Sequence, residues 1–148
     1  MMNMKCAARR FLFLLATSLL GGCLQPTDGG GSCITLAGRW QHVATETGAT
    51  GSSFNGVLIL SQGSSAAFRG SLDGTSVSLI TGESKAVAGT VSGSASAPET
   101  IDFDVALETG PRRHVGQLAV DTLSGTWLKL SGQGGSTSGT FSAVWIRQ

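Results

Sequence analysis

Tyrosine is absent from this chain of 148 residues, and there are only two histidines and three cysteines. No spacing combines His42 or His114 with cysteines or acidic residues in a set typical of a metal site, so we expect neither a metal nor a cofactor. The Gly-x-Ser-x-Gly motif of a nucleophilic serine is also missing. These absences predict that the protein is not an enzyme.

Helical periodicity is missing too, because no apolar repeat of that kind persists for three turns after residue 34. The chain instead has 22 glycines and short apolar runs separated by turn residues, which is typical of an all-β domain. Eight stretches are predicted as strands: 39–47, 54–62, 66–72, 86–92, 100–107, 112–120, 122–130 and 138–146. Residues 75–80 are either a ninth strand behind an Asp73-Gly74 hairpin or a continuation of the third strand past a bulge.

Apolar and polar residues alternate in the fifth of these stretches. Ile101, Phe103 and Val105 share one face, whereas Asp102 and Asp104 lie on the other. One face is therefore expected in the core and the other in water. This favours a solvated role for the two aspartates over a catalytic or calcium-binding pair.

At seven places a glycine precedes an apolar residue by two positions, and period-two geometry puts both on one face of a strand. The seven are Gly38, Gly56, Gly70, Gly89, Gly116, Gly125 and Gly139. The gap beside each large side chain lets a strand bend tightly. The even spacing and short connections favour a small antiparallel up-and-down β-barrel of about eight strands over the alternative, a β-sandwich.

The amino terminus carries three basic residues without an acid, followed by an apolar run at 11–20 that is too short to span a bilayer stably. Leu20-Gly21-Gly22-Cys23 comes next and resembles the lipobox of bacterial lipoproteins. The resemblance implies cleavage between Gly22 and Cys23, with diacylglycerol and usually a further acyl chain attached to Cys23. The alternative is an ordinary secretory signal in which Cys23 is incidental.

Removal of residues 1–22 changes both the charge and the supply of cysteines. The mature chain keeps seven basic and nine acidic residues, a formal charge of −2, and no basic stripe remains to favour nucleic acid as a partner. Cys6 is discarded and Cys23 is consumed by lipid, so no intramolecular disulfide can form. Cys33 is either a small apolar residue at the domain entrance or a thiol that reacts or pairs between molecules.

Three segments follow: a lipoprotein signal peptide at 1–22, a lipidated amino terminus with a flexible glycine-rich linker at 23–33, and a β-barrel domain at 34–148. The expected location is the bacterial cell envelope. There the acylated Cys23 holds the protein to a lipid bilayer, facing the periplasm or the cell exterior.

Gly38-Arg39-Trp40 opens the first predicted strand and resembles the Gly-x-Trp opening of lipocalins and avidin-type barrels. In those families a basic residue after the last strand packs over that tryptophan, and Arg147 occupies the corresponding place here. The resemblance implies a calycin-type barrel in which the first and last strands are neighbours and Arg147 lies over Trp40. Biotin binding is not carried over, because the avidin pocket relies on a tyrosine that this chain lacks.

The Arg112-Arg113-His114 cluster is the densest positive one and the best candidate for an anionic ligand, its alternative being a solvated strand start. Trp127 is expected either to line a pocket or to pack in the core. Large rings should fill the lumen of a barrel this narrow, unless glycines on the same face open a shallow cup at one mouth. The rings expected to point inward are Trp40, Phe103, Trp127, Phe141 and Trp145.

Two functions fit these features. The first is a membrane-tethered module that binds a small apolar or amphipathic ligand at the barrel mouth. The alternative is a structural or interaction lipoprotein whose outer wall meets a protein partner or a second copy. Outward apolar residues at 57, 59, 128 and 130 favour the alternative, unless a bulge turns them inward.

Replacing Cys23 with serine tests the lipid anchor. Serine lacks the thiol that forms the thioether to diacylglycerol, so Cys23→Ser is expected to abolish labelling by radioactive palmitate. Cys33→Ser is the control and should label like the unchanged chain. Persistent label in Cys23→Ser would contradict the assignment.

Overall fold

The computed structural model describes residues 35–48, 51–63, 65–96, 99–129 and 137–147. The signal segment, Cys23, the linker and Cys33 lie outside these residues. The described residues contain no helix long and apolar enough to cross a membrane.

Eight strands form the described part of the chain: β1 Gly38–Glu46, β2 Ser52–Gln62, β3 Ala67–Ser78, β4 Ser84–Ser96, β5 Thr100–Leu107, β6 Arg112–Ala119, β7 Thr122–Lys129 and β8 Ser138–Trp145. Each strand pairs antiparallel with the next, and β1 also pairs with β8, so the sheet closes on itself. The predicted all-β, up-and-down barrel is therefore confirmed, and the alternative of a β-sandwich is wrong.

Strict alternation along the strands builds the core of the barrel. On β1, Trp40, His42 and Ala44 are buried between exposed neighbours. On β5, Ile101, Phe103 and Val105 face the lumen as predicted. Asp102 lies on the outer face, where Arg113 of β6 donates hydrogen bonds to its carboxylate. The pattern of period two thus decides which side chains fill the interior.

The third strand continues through Asp73-Gly74 and ends at Ser78. Its register with β2 is unbroken from Ser52↔Ser78 to Gln62↔Phe68. The alternative in which residues 75–80 continue the third strand is therefore confirmed as far as Ser78, although without a bulge, and the ninth strand is wrong. Cross-strand pairing on both sides keeps the dipeptide extended, which overrides its local preference for a turn.

Glycines make room for large rings inside the barrel. Gly56 of β2 lies directly across from Gly74 of β3. A Cβ atom added to these glycines would lie 2.7 Å and 2.8 Å from Cζ of Phe54. Gly116 and Gly125 form a second cross-strand pair, and Gly125 is opposite Phe141. Two phenylalanine rings thus occupy space that only glycine leaves open.

One end of the barrel is plugged by Trp40, and we call it the entry end because the chain enters there at Thr35. Trp40 is fully buried, and its Nε1 donates a hydrogen bond to the carbonyl oxygen of Leu36 over 3.0 Å. Trp145 of β8 packs edge-on against it, with ring centroids 5.0 Å apart. The last described residue, Arg147, follows β8 at the same end.

The predicted contact between Arg147 and Trp40 is wrong, although β1 and β8 are neighbours as expected. Arg147 instead forms an ion pair with Asp121 over 3.5 Å, and its side chain is 84% exposed. The neighbouring, partly buried ring of Trp145 already packs against Trp40 at this end. A cation is therefore not needed to close the entry end.

The outer wall carries apolar residues that no bulge turns inward. The register of β1 with β2 is continuous, so Leu58 and Leu60 are buried while Ile59 faces outward. Leu128 on β7 is also exposed, whereas Leu130 lies outside the described residues. The predicted apolar outer positions are therefore present on β2 and β7.

Gly56→Ala is expected to lower the free energy of unfolding by about 1–3 kcal/mol, because the added methyl group meets Phe54 and the backbone of β3. Gly63→Ala is the matched control: a Cβ there has no neighbour within 4 Å, and the change should stay within about 0.5 kcal/mol. Denaturant unfolding of the full chain measures both. Equal effects would contradict the role given to Gly56.

Candidate functional site

A small cavity, partly lined by polar side chains, lies in the half of the barrel remote from Thr35. We call this half of the barrel the distal end. The volume that the centre of a water molecule can occupy is about 10 Å³. The cavity therefore has room for about one water. Most of the lining is apolar, but three polar side chains contribute to it. The residues of this distal cavity are His42, Ala44, Phe54, Leu72, Val105, Leu107, Arg112 and His114.

His42 reaches the cavity because it follows Trp40 by two positions on β1 and so shares its inward face. Its ring packs parallel to Phe141 at 5.9 Å between centroids and edge-on to Phe54 at 5.5 Å. The side chain is only 1% exposed, and neither Nδ1 nor Nε2 has a hydrogen-bond partner. His42 therefore holds an unsatisfied donor and an unsatisfied acceptor inside the barrel.

His114 lies beside His42, with ring centroids 5.9 Å apart. It stacks on Phe103 at 4.6 Å, and the two rings are within 10° of parallel. Its Nδ1 is 3.3 Å from the carbonyl oxygen of Arg112. Since a carbonyl can only accept, Nδ1 carries the proton and Nε2 is left as an acceptor.

Burial keeps both imidazoles neutral. Desolvation, together with the nearby positive charge of Arg112, lowers the pKa of His42 to about 4. Desolvation and then the proximity of His42 lower the pKa of His114 to about 3, although its bond to the Arg112 carbonyl opposes the shift. At neutral pH the two rings therefore act as aromatic core residues that retain polar nitrogens.

Arg112 begins β6 and points toward the lumen, where its guanidinium carbon lies 4.6 Å from the centre of the Trp127 ring. Its Nε is buried without a hydrogen-bond partner. Burial lowers the pKa of Arg112, and the carboxylate of Glu46 opposes that shift. Glu46 itself accepts hydrogen bonds from the backbone N and Oγ of Ser52, at 3.2 Å and 3.1 Å. Trp127 thus supports a partly desolvated cation.

The structure separates the Arg112-Arg113-His114 cluster. Arg112 and His114 face the lumen, whereas Arg113 points outward and pairs with Asp102. Hydrogen bonding to Asp102 raises the pKa of Arg113. Trp127 is buried and contributes to the site as the surface on which Arg112 rests. Two residues of the predicted cluster therefore belong to the distal cavity and the third does not.

Sequence reasoning missed His42 as a member of this site. A signal was present, since the alternation of Trp40, His42 and Ala44 indicates that all three face the same way. Whether residues of β1 and β6 lie at the same height in the barrel depends on the pairing registers of the strands between them. The alternation along one strand does not give those registers. In the described parts of the chain, no group of three or more His, Cys, Asp or Glu side chains is placed to hold a metal ion.

No protein family model matches the chain, and no curated protein matches it. Solved structures that are similar in fold include two small β-barrels. One is described as a redesigned β-barrel, mFAP1, bound to DFHBI; it is 14% identical, with a TM-score of 0.58, over 74% of this chain and 94% of that one. The other is EF1p2_mFAP2b bound to DFHBI, 11% identical with a TM-score of 0.57, over 75% and 94% of the two chains. At these identities the likeness shows the fold alone.

The buried histidines predict a loss of stability in acid. Each has a folded-state pKa below its ordinary value of 6.5, so below pH 6.5 the unfolded chain binds protons that the folded chain excludes. The contribution of the two neutral histidines to the free energy of unfolding is therefore fully present above pH 6.5. As the pH falls toward 4, the free energy of unfolding should drop by on the order of 1 kcal/mol per pH unit for each histidine.

Denaturant unfolding between pH 7 and pH 4.5 measures this dependence. The double variant His42→Leu/His114→Leu has no imidazole in the lumen and should show a flatter acid limb than the unchanged chain. The same acid limb in both proteins would contradict the assignment to these two histidines.

Proposed function

We propose that this chain is a bacterial lipoprotein of the cell envelope, anchored through Cys23, whose barrel binds a small apolar or amphipathic ligand at its distal end. It serves as a binding protein and not as an enzyme. The anchor rests on the resemblance of Leu20-Gly21-Gly22-Cys23 to a lipobox, and the binding role rests on the distal cavity.

The unpartnered polar atoms of that cavity are the observation that carries the binding role. Both nitrogens of His42 and Nε of Arg112 are buried without a hydrogen bond. Leaving a buried polar group unpaired costs about 1–3 kcal/mol. A barrel that used only its outer surface would be more stable with leucine in place of His42. The polarity of the cavity therefore supports a ligand that enters and provides the missing partners.

The position of the cavity fits a tethered binding protein. The described chain begins with Thr35 at the entry end, which Trp40 and Trp145 fill. The distal cavity lies at the other end of the same barrel. For a protein held through Cys23, the ligand would approach from the end of the barrel where the chain does not enter. The two similar barrels that hold DFHBI are compatible with such a role for this fold.

The second candidate is an interaction lipoprotein that uses its outer wall. Aliphatic side chains on the outer face of five strands are each at least two-fifths exposed: Val43, Ile59, Val115, Leu128 and Val144. Such residues support binding of a protein partner or a second copy of the chain. The first candidate function predicts a bound small molecule, and the second predicts a bound protein or a second copy of the chain. Mass spectrometry distinguishes these species.

Native mass spectrometry of the full chain, made in a bacterial host and released from lipid nanodiscs, tests the proposal. We expect a monomer that retains a small molecule. Ala44→Leu, which fills the distal cavity from its lining, should lose that added mass. Ala106→Leu adds the same atoms on the exposed outer face and should keep it.

A ligand-free oligomer or a complex with another protein would favour the second candidate instead. A ligand-free monomer would contradict both. Thermal unfolding of the two leucine variants verifies that each still folds, so that loss of the added mass in Ala44→Leu reports on the cavity.

A further inference from the structure

We propose that the distal cavity is the head-group site for a monocarboxylate with an apolar body, an inference that rests on the proposed binding function. The head group would lie between Arg112 and His42. The apolar body would extend over the distal rim of the barrel. The charge, the hydrogen-bond donors, the size and the rim of the cavity each support one part of this assignment.

Charge is the first reason. The guanidinium of Arg112 is partly buried over Trp127, and within the described residues it forms no ion pair with a carboxylate. The charge of Glu46 acts on Arg112, but Glu46 does not line the cavity, and its carboxylate accepts hydrogen bonds from Ser52. Both histidines of the cavity are neutral at neutral pH. The cavity therefore presents one positive charge, which one negative charge would balance.

The free donors are the second reason. Nε of Arg112 always carries a proton, and a neutral His42 carries one on one of its two nitrogens. Both side chains line the cavity, and neither of these donors has a partner. A carboxylate oxygen accepts more than one hydrogen bond, so a single oxygen can receive both protons. Charge-assisted bonds of this kind are stronger than bonds between neutral groups.

The size of the cavity is the third reason. Room for about one water admits one oxygen of a planar carboxylate in place of that water. A tetrahedral phosphate or sulfate carries three further groups on its central atom and is bulkier than a planar carboxylate directly behind the oxygen that enters. The lumen beyond the cavity is filled by the rings of Phe103, Phe141 and the two histidines. The head group therefore enters only as far as this one oxygen.

The rim above the cavity is the fourth reason. Phe54, Leu72 and Leu107 supply apolar surface to the lining. The pairing of β4 with β5 stops at Gly89↔Leu107, so the β3–β4 hairpin extends beyond β5 at this end. Its turn carries Leu79 and Ile80, both of which are more than half exposed. Lys85 and Glu108 also border Leu107 at this edge, where they pair with each other over 3.8 Å. The apolar body is therefore assigned from the cavity lining and from Leu79 and Ile80, and not from the whole edge.

Titrations with hexanoate and its neutral counterpart hexanamide test the inference on the full chain in nanodiscs. Quenching of Trp127 fluorescence reports binding, because this ring lies against Arg112, whereas Trp40 and Trp145 lie at the other end. Hexanoate should bind about tenfold or more tightly than hexanamide. Acetate, which has the same head group and no body, should bind more weakly than hexanoate.

Arg112→Gln should remove the preference for hexanoate over hexanamide. Arg113→Gln is the matched control, because the neighbouring side chain faces outward and pairs with Asp102; it should keep the preference. Thermal unfolding verifies that both variants fold. Equal binding of hexanoate and hexanamide to the unchanged chain, or an unchanged preference in Arg112→Gln, would overturn the inference.

Failure of this inference is distinguishable from failure of the proposed function. If neither probe binds while native mass spectrometry finds a retained small molecule, the carboxylate assignment is wrong and the binding function stands. If neither probe binds and the chain is also ligand-free by mass, both are overturned.

Discussion

The packing of aromatic rings against glycine is the constraint on which the barrel depends. Eight strands enclose a space only wide enough for side chains, and this chain fills it with large rings. Phe54 lies over the Gly56–Gly74 pair, and Phe141 lies opposite Gly125. A methyl group at those glycines would meet a ring or a facing backbone. The glycines at these positions are thus the counterpart of the two rings, and a larger residue there would displace a ring or a strand.

Two of the rings in this lumen are imidazoles, and that substitution creates the site. His114 stacks on Phe103 and His42 stacks on Phe141, as phenylalanines would. The same close packing that accommodates them removes them from bulk solvent and keeps them uncharged. Their nitrogens therefore remain polar in surroundings that offer almost no partners. With Arg112 at the rim, the narrow barrel concentrates its hydrogen-bonding capacity at one end.

The class and architecture of the fold could be predicted from the sequence because both follow from local patterns. Alternation fixed the inward face of β5, and the repeated glycines indicated a bent, closed sheet. The site was harder to predict. His42 and Arg112 are 70 positions apart in the chain, and they share a cavity only through the registers of the strands between them. Periodicity gives the face of a residue but not its height in the barrel.

Tertiary context decided between the two interpretations of Asp73-Gly74, and it overturned the expected position of Arg147. Asp73-Gly74 has the composition of a tight turn, yet β2 and β4 both pair across it and keep it extended. Arg147 follows the last strand as the resemblance to lipocalins implies, yet Trp145 two residues earlier already fills the place over Trp40. In the first case the neighbouring strands decided the conformation of the dipeptide. In the second case Trp145 decided which side chain packs against Trp40.

The position of β1 has a mechanical consequence. This strand is the first after Thr35, and it is hydrogen-bonded along its length to β2 on one side and to β8 on the other. A force directed along the axis of β1, away from the entry end, would pull this strand past both of its neighbours. Both ladders would then be loaded in shear, with their hydrogen bonds sharing the load together, instead of being peeled apart one at a time. A domain joined to its surroundings through this strand is suited to withstand tension.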